Sequence, residues 1–276
     1  MELQDIELNV QVTAPPPQTY PSALMEEASK ISGGEWQEVY KRRIGETYQK
    51  AFALLEEPPE AWSLLTTNND GAHPILMFER TTPLEPYARV FRLNTVVQGR
   101  GERFVWLLRD HDADTRLAWD ATDVVSVQQL ETYRPAEGDI DVVKCEVRSP
   151  YAMLVSNRLL LGVQQAQYNA TLKTHTYVYH TAPHYYFTHH LKETVHRKCT
   201  LVPHLLVCVW LSPMEHGKCR LQMVVCVDAG SMSIMSPLIN ATYPEKLCAQ
   251  VLRWQRVVRE WDTYYPNDPK LVENRK

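Results

Sequence analysis

Residues 205–227 read LLVCVWLSPMEHGKCRLQMVVCV, two apolar runs joined by a short polar segment. The segment at 212–217, Ser-Pro-Met-Glu-His-Gly, is typical of a tight hairpin connection. Each run keeps an unbroken apolar set on one alternating face of a strand. The two sets are Leu205, Val207, Val209 and Leu211, then Leu221, Met223, Val225 and Val227. The stretch therefore predicts an antiparallel hairpin whose apolar face must be covered.

The cover is predicted directly downstream, in a helix at about 242–264. Thr242 suits the N-cap, Pro244 the first turn, and Glu245 the positive end of the helix dipole. An apolar stripe follows the helix at three- and four-residue steps: Leu247, Val251, Trp254, Val258 and Trp261.

The chain upstream reads as strands between helices. Helices are predicted at 35–57, ended by Pro58-Pro59, and at 99–119. Strands are predicted at 62–67, 74–80, 87–97, 124–133, 140–148, 159–168, 175–181, 200–211 and 219–227. Strands 140–148 and 159–168 also carry alternating apolar sets, at Val143, Cys145 and Val147 and at Leu159, Leu161 and Val163. A long antiparallel meander flanked by helices belongs to the α+β class.

The organisation along the chain predicts one domain. Residues 1–34 hold Ala14-Pro15-Pro16-Pro17 and Gly33-Gly34 with few large apolar side chains, so we expect a loosely ordered N-terminal extension. The domain is predicted to span 35–265, followed by a C-terminal tail at 266–276.

Composition narrows the classes of partner. The 276 residues are 44% hydrophobic and 22% charged, with a formal net charge of −4. Without a basic excess, nucleic acid is not an expected partner. The six cysteines lie mostly within apolar runs and form no Cys-x-x-Cys pair, which favours free thiols in a reducing compartment. No signal peptide is apparent at the N-terminus, so the expected location is the cytoplasm.

Three stretches resemble landmarks of the START (steroidogenic-acute-regulatory-protein-related lipid transfer) domain family, in the family's order. Asp114-Thr115-Arg116-Leu117-Ala118-Trp119-Asp120 is similar to the Arg-x-x-Trp-Asp end of its second helix. The segments 148–150 and 156–158 resemble the loop and Pro-Arg-Asp-Phe run that lead into its middle strands. The run 225–230, followed by Asn240, resembles the approach to its closing helix. Together the resemblance covers about residues 35–265.

The resemblance implies a helix-grip fold, a curved antiparallel sheet wrapped around a long C-terminal helix and enclosing an apolar cavity. It implies non-catalytic binding of a lipid, sterol or phospholipid-like, with transient contact to a membrane surface, no cofactor and a monomeric protein. The residues expected in the cavity wall and lid are Cys145, Val147, Leu161, Val163, Gln164, Val207, Val209, Met223, Val225, Leu247, Val251, Trp254 and Val258. The residues expected at a gate are Pro150, Gly230, Met232 and Met235.

The chain departs from the family pattern where a lipid headgroup would be read. Leu159 stands at the aspartate of the Pro-Arg-Asp-Phe run and Asn157 at its proline. Gln164 stands where some sterol-binding members carry a charged residue, so a buried ion pair is not expected there. If the strand parity were inverted by a bulge, Glu146 and Arg148 would face the cavity instead of Cys145 and Val147.

The sequence contains no specific motif for metal binding or catalysis. Seven histidines between 175 and 204 lack metal-ligand spacing, so no metal site is predicted. No Gly-x-Ser-x-Gly, P-loop or Gly-x-Gly-x-x-Gly motif occurs. Two alternatives stay open: an enzyme on the same scaffold, cyclase- or hydrolase-like, that uses polar groups such as His204 or Gln164, and an interaction module with a solid core.

Overall fold

The fold is built on one large β-sheet. The structure, a computed structural model, describes residues 35–149, 157–181, 199–202, 204–228 and 236–266. The strands are β1 Trp62–Asn68, β2 Ile75–Arg80, β3 Arg89–Gln98, β4 Val124–Tyr133, β5 Ile140–Val147, β6 Asn157–Asn169, β7 Thr174–Thr181, β8 Cys199–Leu201, β9 His204–Pro213 and β10 Lys218–Asp228. The helices are α1 Glu35–Glu56, α2 Gly101–Arg109, α3 Ala113–Asp120, α4 Ser236–Arg259 and α5 Trp261–Tyr264. The predicted extension 1–34 and the tail from 267 onward lie outside the described residues.

Nine strands form a curved antiparallel sheet in the order β1-β2-β3-β10-β9-β7-β6-β5-β4. The sheet is not closed, because β1 and β4 remain as its two edges. Short β8 pairs with β6 in parallel. The hairpin β9–β10 lies at the centre of this order, with Met223 opposite Val209. The predicted α+β architecture with a curved antiparallel sheet is confirmed.

The concave face of the sheet packs against α4 and α2. Val251 of α4 is fully buried, and Trp254 and Val258 of the same helix join one apolar cluster with β9 and β10. Phe104 and Leu107 of α2 complete this cluster. The predicted apolar stripe of the last helix therefore faces the sheet.

The convex face is covered as well, by α1. Tyr40, Ile44, Ala51 and Leu54 recur at three-, four- and seven-residue steps and are buried against the outward side chains of the central strands. A sheet covered on both faces carries apolar residues at odd and even positions alike, which weakens the alternation that reveals strand parity.

Three predicted elements differ by more than one or two residues at their ends. The helix expected at 99–119 is two helices, because Asp112 ends the intervening turn and its carboxylate accepts the backbone N–H of Thr115 at 2.8 Å as an N-cap. The strand expected at 200–211 is β8 followed by β9, with proline at 203 between them in the sequence.

The last helix begins at Ser236, and Pro244 lies inside it instead of in its first turn. A proline removes one helical hydrogen bond and weakens the helix locally, but tertiary packing of the following turns can hold the helix together. A short turn at Glu260 then separates α4 from α5.

His180 on the convex side makes the fold sensitive to acid. Its Nε2 lies 3.3 Å from the Tyr87 hydroxyl and its Nδ1 lies 2.6 Å from the carbonyl oxygen of Thr181. Burial, with smaller contributions from Arg43, His204 and Lys50, lowers the pKa of His180 from 6.5 to about 4. The folded protein therefore holds this imidazole neutral.

We expect the free energy of unfolding to fall between pH 6.5 and pH 4 because of His180. In that window the unfolded chain binds a proton that the folded imidazole does not, so acid favours unfolding. The loss attributable to this group is on the order of 3 kcal/mol at pH 4. Urea unfolding of the wild type and of His180→Gln between pH 6.5 and pH 4 measures this loss. If the free energy of unfolding of the two proteins depends on pH in the same way, the assignment to His180 is wrong.

Candidate functional site

A cavity of about 290 Å³ lies between the concave face of the sheet and α4. The sheet contributes residues of β4, β5, β6, β7, β9 and β10, and the helices contribute the end of α2, Arg116 of α3 and one side of α4. Its apolar wall consists of Leu108, Val127, Val143, Cys145, Val147, Leu160, Val202, Leu205, Val207, Met223, Val225, Leu247 and Trp254. The volume is near the lower end, about 300 Å³, of pockets that take small organic ligands. The centre of the protein is therefore not packed solid.

Eight of the residues predicted for the cavity and lid line it. They are Cys145, Val147, Gln164, Val207, Met223, Val225, Leu247 and Trp254. Three more, Val209, Val251 and Val258, belong to the same concave-side cluster without lining the cavity. The structure brings these eleven residues together on one side of the sheet.

Leu161 and Val163 lie on the other side of the sheet, and their predicted place in the cavity wall is corrected. Both pack in the convex cluster with α1. Strand register decides this, because directly opposed residues share a face. Cys145 lies opposite Leu160, so the even-numbered side chains of this part of β6 face the cavity.

The parity predicted for β5 agrees with the structure. Cys145 and Val147 line the cavity, and Glu146 points away and accepts a hydrogen bond at 2.7 Å from the Asn157 amide. Arg148, beyond the end of β5, also lines the cavity, and its Nε donates to the carbonyl oxygen of Ala121 at 3.0 Å. The predicted gate residues Pro150, Gly230, Met232 and Met235 lie outside the described residues.

Gln164 is held by three partners. Its amide nitrogen lies 3.2 Å from the carbonyl oxygen of Arg109 and 3.2 Å from Nδ1 of His111, and its oxygen accepts the Tyr177 hydroxyl at 2.8 Å. Because an amide nitrogen only donates, His111 accepts through Nδ1. Burial lowers the pKa of His111, which favours this neutral form. Gln164 thus anchors α2 to the sheet at the cavity wall.

Tyr179 is the neighbour of this network that the sequence analysis missed. It lies directly opposite Gln164 in the β6–β7 pairing and lines the cavity. Its ring lies over Gly162, where an added Cβ would be 2.7 Å from both Cζ and Oη of Tyr179. The position of Tyr179 follows from the face of β6 that points to the cavity. Because Gln164 faces the cavity, the residue directly opposite it on β7 faces the cavity too.

Charged groups gather where α4 meets α3 and β4. Arg253 of α4 contacts Asp120 and donates to Asp123 at 2.8 Å, and Lys246 lies 3.5 Å from Asp123. Arg116 adds a 2.9 Å ion pair to the fully buried Asp120. These contacts clamp α4 over the cavity.

A second charged group lies at the strand ends. Arg158 at the start of β6 lines the cavity with Arg148, and burial lowers the pKa of Arg158. The cavity therefore has a neutral, mainly apolar middle and charged margins.

His204 does not lie in the cavity wall. Its ring contacts Tyr87 on the convex side at 6.3 Å between centroids. Among the described residues, no group of three His, Cys, Asp or Glu side chains is arranged to hold a metal ion. Within the same residues, none of the helices is both long enough and apolar enough to cross a membrane.

Comparisons with known proteins bear on the fold. The sequence matches no protein-family model and no curated protein. The structure is similar to human StAR-related lipid transfer protein 5, with a TM-score of 0.62 at 13% identity over 82% of this chain and 99% of that one. It is similar to human STARD10, with a TM-score of 0.59 at 12% identity over 81% and 85% of the two chains.

A third similar structure is the human StarD13 (DLC2) lipid transfer and protein localization domain, with a TM-score of 0.55 at 14% identity over 74% of this chain and 94% of that one. All three are similar to this chain over more than two thirds of its length, at identities so low that the similarity concerns the fold alone. The chain therefore has a START-like helix-grip fold.

Proposed function

We propose that this protein binds one lipid molecule in its cavity and carries it between membranes without converting it. The observation that carries the proposal is the cavity of about 290 Å³ between the sheet and α4, which the side chains of the described residues leave unfilled. Its fold is shared with proteins described as lipid transfer proteins or domains. The same cavity argues against an interaction module with a solid core.

The driving force is removal of apolar surface from water. Each CH₂ group that moves from water into such a cavity gains about 0.8 kcal/mol. The apolar wall that would contact the lipid is formed by strands far apart in sequence. They contribute, among others, Val143, Val207 and Val225. A sterol body or an acyl chain supplies several such groups, so burial of the chain provides most of the binding free energy.

Uptake and release require α4 to move relative to the sheet. Arg253 and Lys246 tie this helix to Asp120 and Asp123, so we propose that these contacts hold the closed state. The gate that the sequence predicts, at Pro150, Gly230, Met232 and Met235, lies outside the described residues and stays a prediction. Met232 and Met235 would touch the membrane transiently, and the protein would act as a cytoplasmic monomer.

A catalytic role has weaker support. An acid and the imidazole in the cavity lining already have hydrogen-bond partners: Asp110 accepts the Tyr265 hydroxyl at 2.7 Å, and His111 accepts from Gln164. His204, the histidine considered for catalysis, lies on the convex side. A general acid or base needs a proton to exchange with a reacting atom within hydrogen-bond reach.

The direct test is recovery and transfer of lipid. Protein purified from cells should carry lipid at up to one molecule per chain in native mass spectrometry, and delipidated protein should move labelled lipid from donor to acceptor vesicles. A protein that carries no lipid and transfers none of a broad panel of sterols, phospholipids, ceramides and fatty acids would overturn the proposal.

Filling the cavity should abolish binding while the fold survives. Val207→Trp places an indole in the space that the ligand would occupy, and we expect lipid bound per chain to fall at least about tenfold, equivalent to about 1.4 kcal/mol or more. Leu64→Trp, at a 58% exposed position on β1, is the matched control and should bind like wild type. Equal binding by the two variants, with circular dichroism spectra like wild type, would place the ligand elsewhere.

A further inference from the structure

Tyr179 presents a buried hydroxyl that finds no partner among the described residues. The residue is 7% exposed, and its Oη is buried without a hydrogen bond. It lines the cavity. A buried hydroxyl without a partner destabilises a folded protein, so such a group in a cavity wall points to a ligand.

Tyr177 provides an internal comparison two residues away. It lies on the same face of β7, is also 7% exposed, and lines the same cavity. Its hydroxyl donates to Gln164 at 2.8 Å. The wall can therefore satisfy one phenol completely while leaving the next one with its hydrogen-bonding capacity unused.

The position of the Tyr179 hydroxyl is held by the backbone beside it. The ring occupies the space that any side chain at residue 162 would fill, with Cζ and Oη 2.7 Å from an idealised Cβ there. Glycine at this position thus makes room for the phenol. The Tyr179 backbone lies opposite Gln164, and its hydroxyl reaches along the sheet to Gly162, which lies opposite Thr181.

The surroundings of this hydroxyl are neutral. Burial raises the pKa of Tyr179 well above its ordinary value, with smaller contributions from Tyr177 and Cys145. Burial also raises the pKa of Cys145 to about 11, so its thiol stays neutral. The phenol therefore remains an uncharged donor at physiological pH, in a part of the cavity that disfavours a charged ligand group.

We propose that Tyr179 is the specificity contact of the cavity and donates a hydrogen bond to a neutral oxygen within the bound lipid. This inference rests on the proposed lipid-binding function. The ligand class is a lipid whose apolar body carries an accepting oxygen at this depth, either the hydroxyl of a sterol or the ester carbonyl of a glycerolipid. The other side chain of the lining that has a buried, unpartnered polar atom, Trp254, offers only an N–H donor, which also favours an acceptor on the ligand.

The test is a competition between lipids that differ in one kind of oxygen. Delipidated protein is incubated with vesicles that contain equal amounts of cholesterol and 5-cholestene, which lacks the hydroxyl. In a second arm the vesicles contain dioleoyl phosphatidylcholine and its ether-linked analogue, which lacks the ester carbonyls. The amounts of the two lipids bound are measured by mass spectrometry. In one pair the protein should favour the lipid that carries the hydroxyl or the ester carbonyl by about fivefold to tenfold. That pair shows which kind of oxygen accepts the hydrogen bond.

Tyr179→Phe removes the hydroxyl and should bring that ratio to within about twofold of one. Its Tm without lipid should equal or exceed that of wild type, because an unsatisfied buried group is lost. Tyr87→Phe is the matched control: it removes a buried phenol hydroxyl on the convex side of the sheet, 3.3 Å from Nε2 of His180, so it should lower Tm and keep the wild-type binding ratio.

The outcomes separate the two proposals. Wild-type protein that binds both members of each pair equally, or Tyr179→Phe that keeps the wild-type ratio, would overturn the role of Tyr179 and leave lipid binding in place. A lower Tm for Tyr179→Phe, with an unchanged ratio, would make the hydroxyl structural. Wild-type protein that takes up none of the four lipids, and none of the broader panel, would overturn the function itself.

Discussion

Asp120→Ala is expected to lower the free energy of unfolding by about 3–5 kcal/mol, because it removes the ion-pair partner of the largely buried Arg116 and leaves the largely buried Arg253 with Asp123 alone. Asp120 is fully buried, pairs with Arg116 at 2.9 Å and contacts Arg253 of α4. Both guanidinium groups are poorly exposed, so water cannot replace the lost carboxylate. The loss should appear in urea unfolding followed by tryptophan fluorescence.

Two comparisons show whether burial is the cause. Glu260→Ala removes a surface ion pair with Arg259, whose side chains are 42% and 70% exposed, and should cost less than about 0.5 kcal/mol. Asp123→Ala leaves Arg253 its contact with Asp120, so its loss of unfolding free energy should lie between those of Asp120→Ala and Glu260→Ala. A loss below about 1 kcal/mol for Asp120→Ala would contradict the clamp between α4 and α3.

Gly162→Ala is expected to destabilise the protein by about 1–3 kcal/mol or more, although it adds only one methyl group. The new Cβ would collide with the carbonyl oxygen of His180, which is backbone, and with the Tyr179 ring at 2.7 Å. Strands β6 and β7 would have to separate or the ring would have to leave its place. We therefore expect the unfolding midpoint to fall and the selectivity assigned to Tyr179 to weaken.

Gly45→Ala provides the opposite expectation for the same chemical change. Gly45 lies on the exposed side of α1 with no atom within 4 Å of an added Cβ, and alanine favours a helix by about 0.8–1.0 kcal/mol over glycine. We expect a higher unfolding midpoint. Similar effects of the two substitutions would show that the close approach at Gly162 does not exist.

The order and type of most elements could be predicted from the sequence. Period-two patterning and turn residues placed the β9–β10 hairpin, and three- and four-residue spacing placed α1 and the stripe of α4. Two predicted boundaries were wrong. Asp112 caps a new helix between α2 and α3, and α4 begins before Pro244 and continues through it.

The cavity could be predicted only in part. Strands β9 and β10 were assigned to the correct face, and in β10 the polar residues Arg220 and Gln222 at even positions mark the other face. Strand β6 reads Leu159-Leu160-Leu161, apolar on both faces, and so carries no parity signal. The residues predicted for the cavity wall are Leu161 and Val163, whereas the pairing with β5 directs Leu160 and Gln164 toward the cavity.

The sequence by itself determined which segments become strands and helices, because local patterning and turn chemistry act over a few residues. It also determined that the last helix has an apolar side to bury. Only the tertiary structure decided which side of β6 faces the cavity, that Tyr179 lies over Gly162, and that Arg253 meets Asp120 across 133 residues. These depend on strand register and helix docking, which are set by contacts between segments distant in the chain and leave no local pattern.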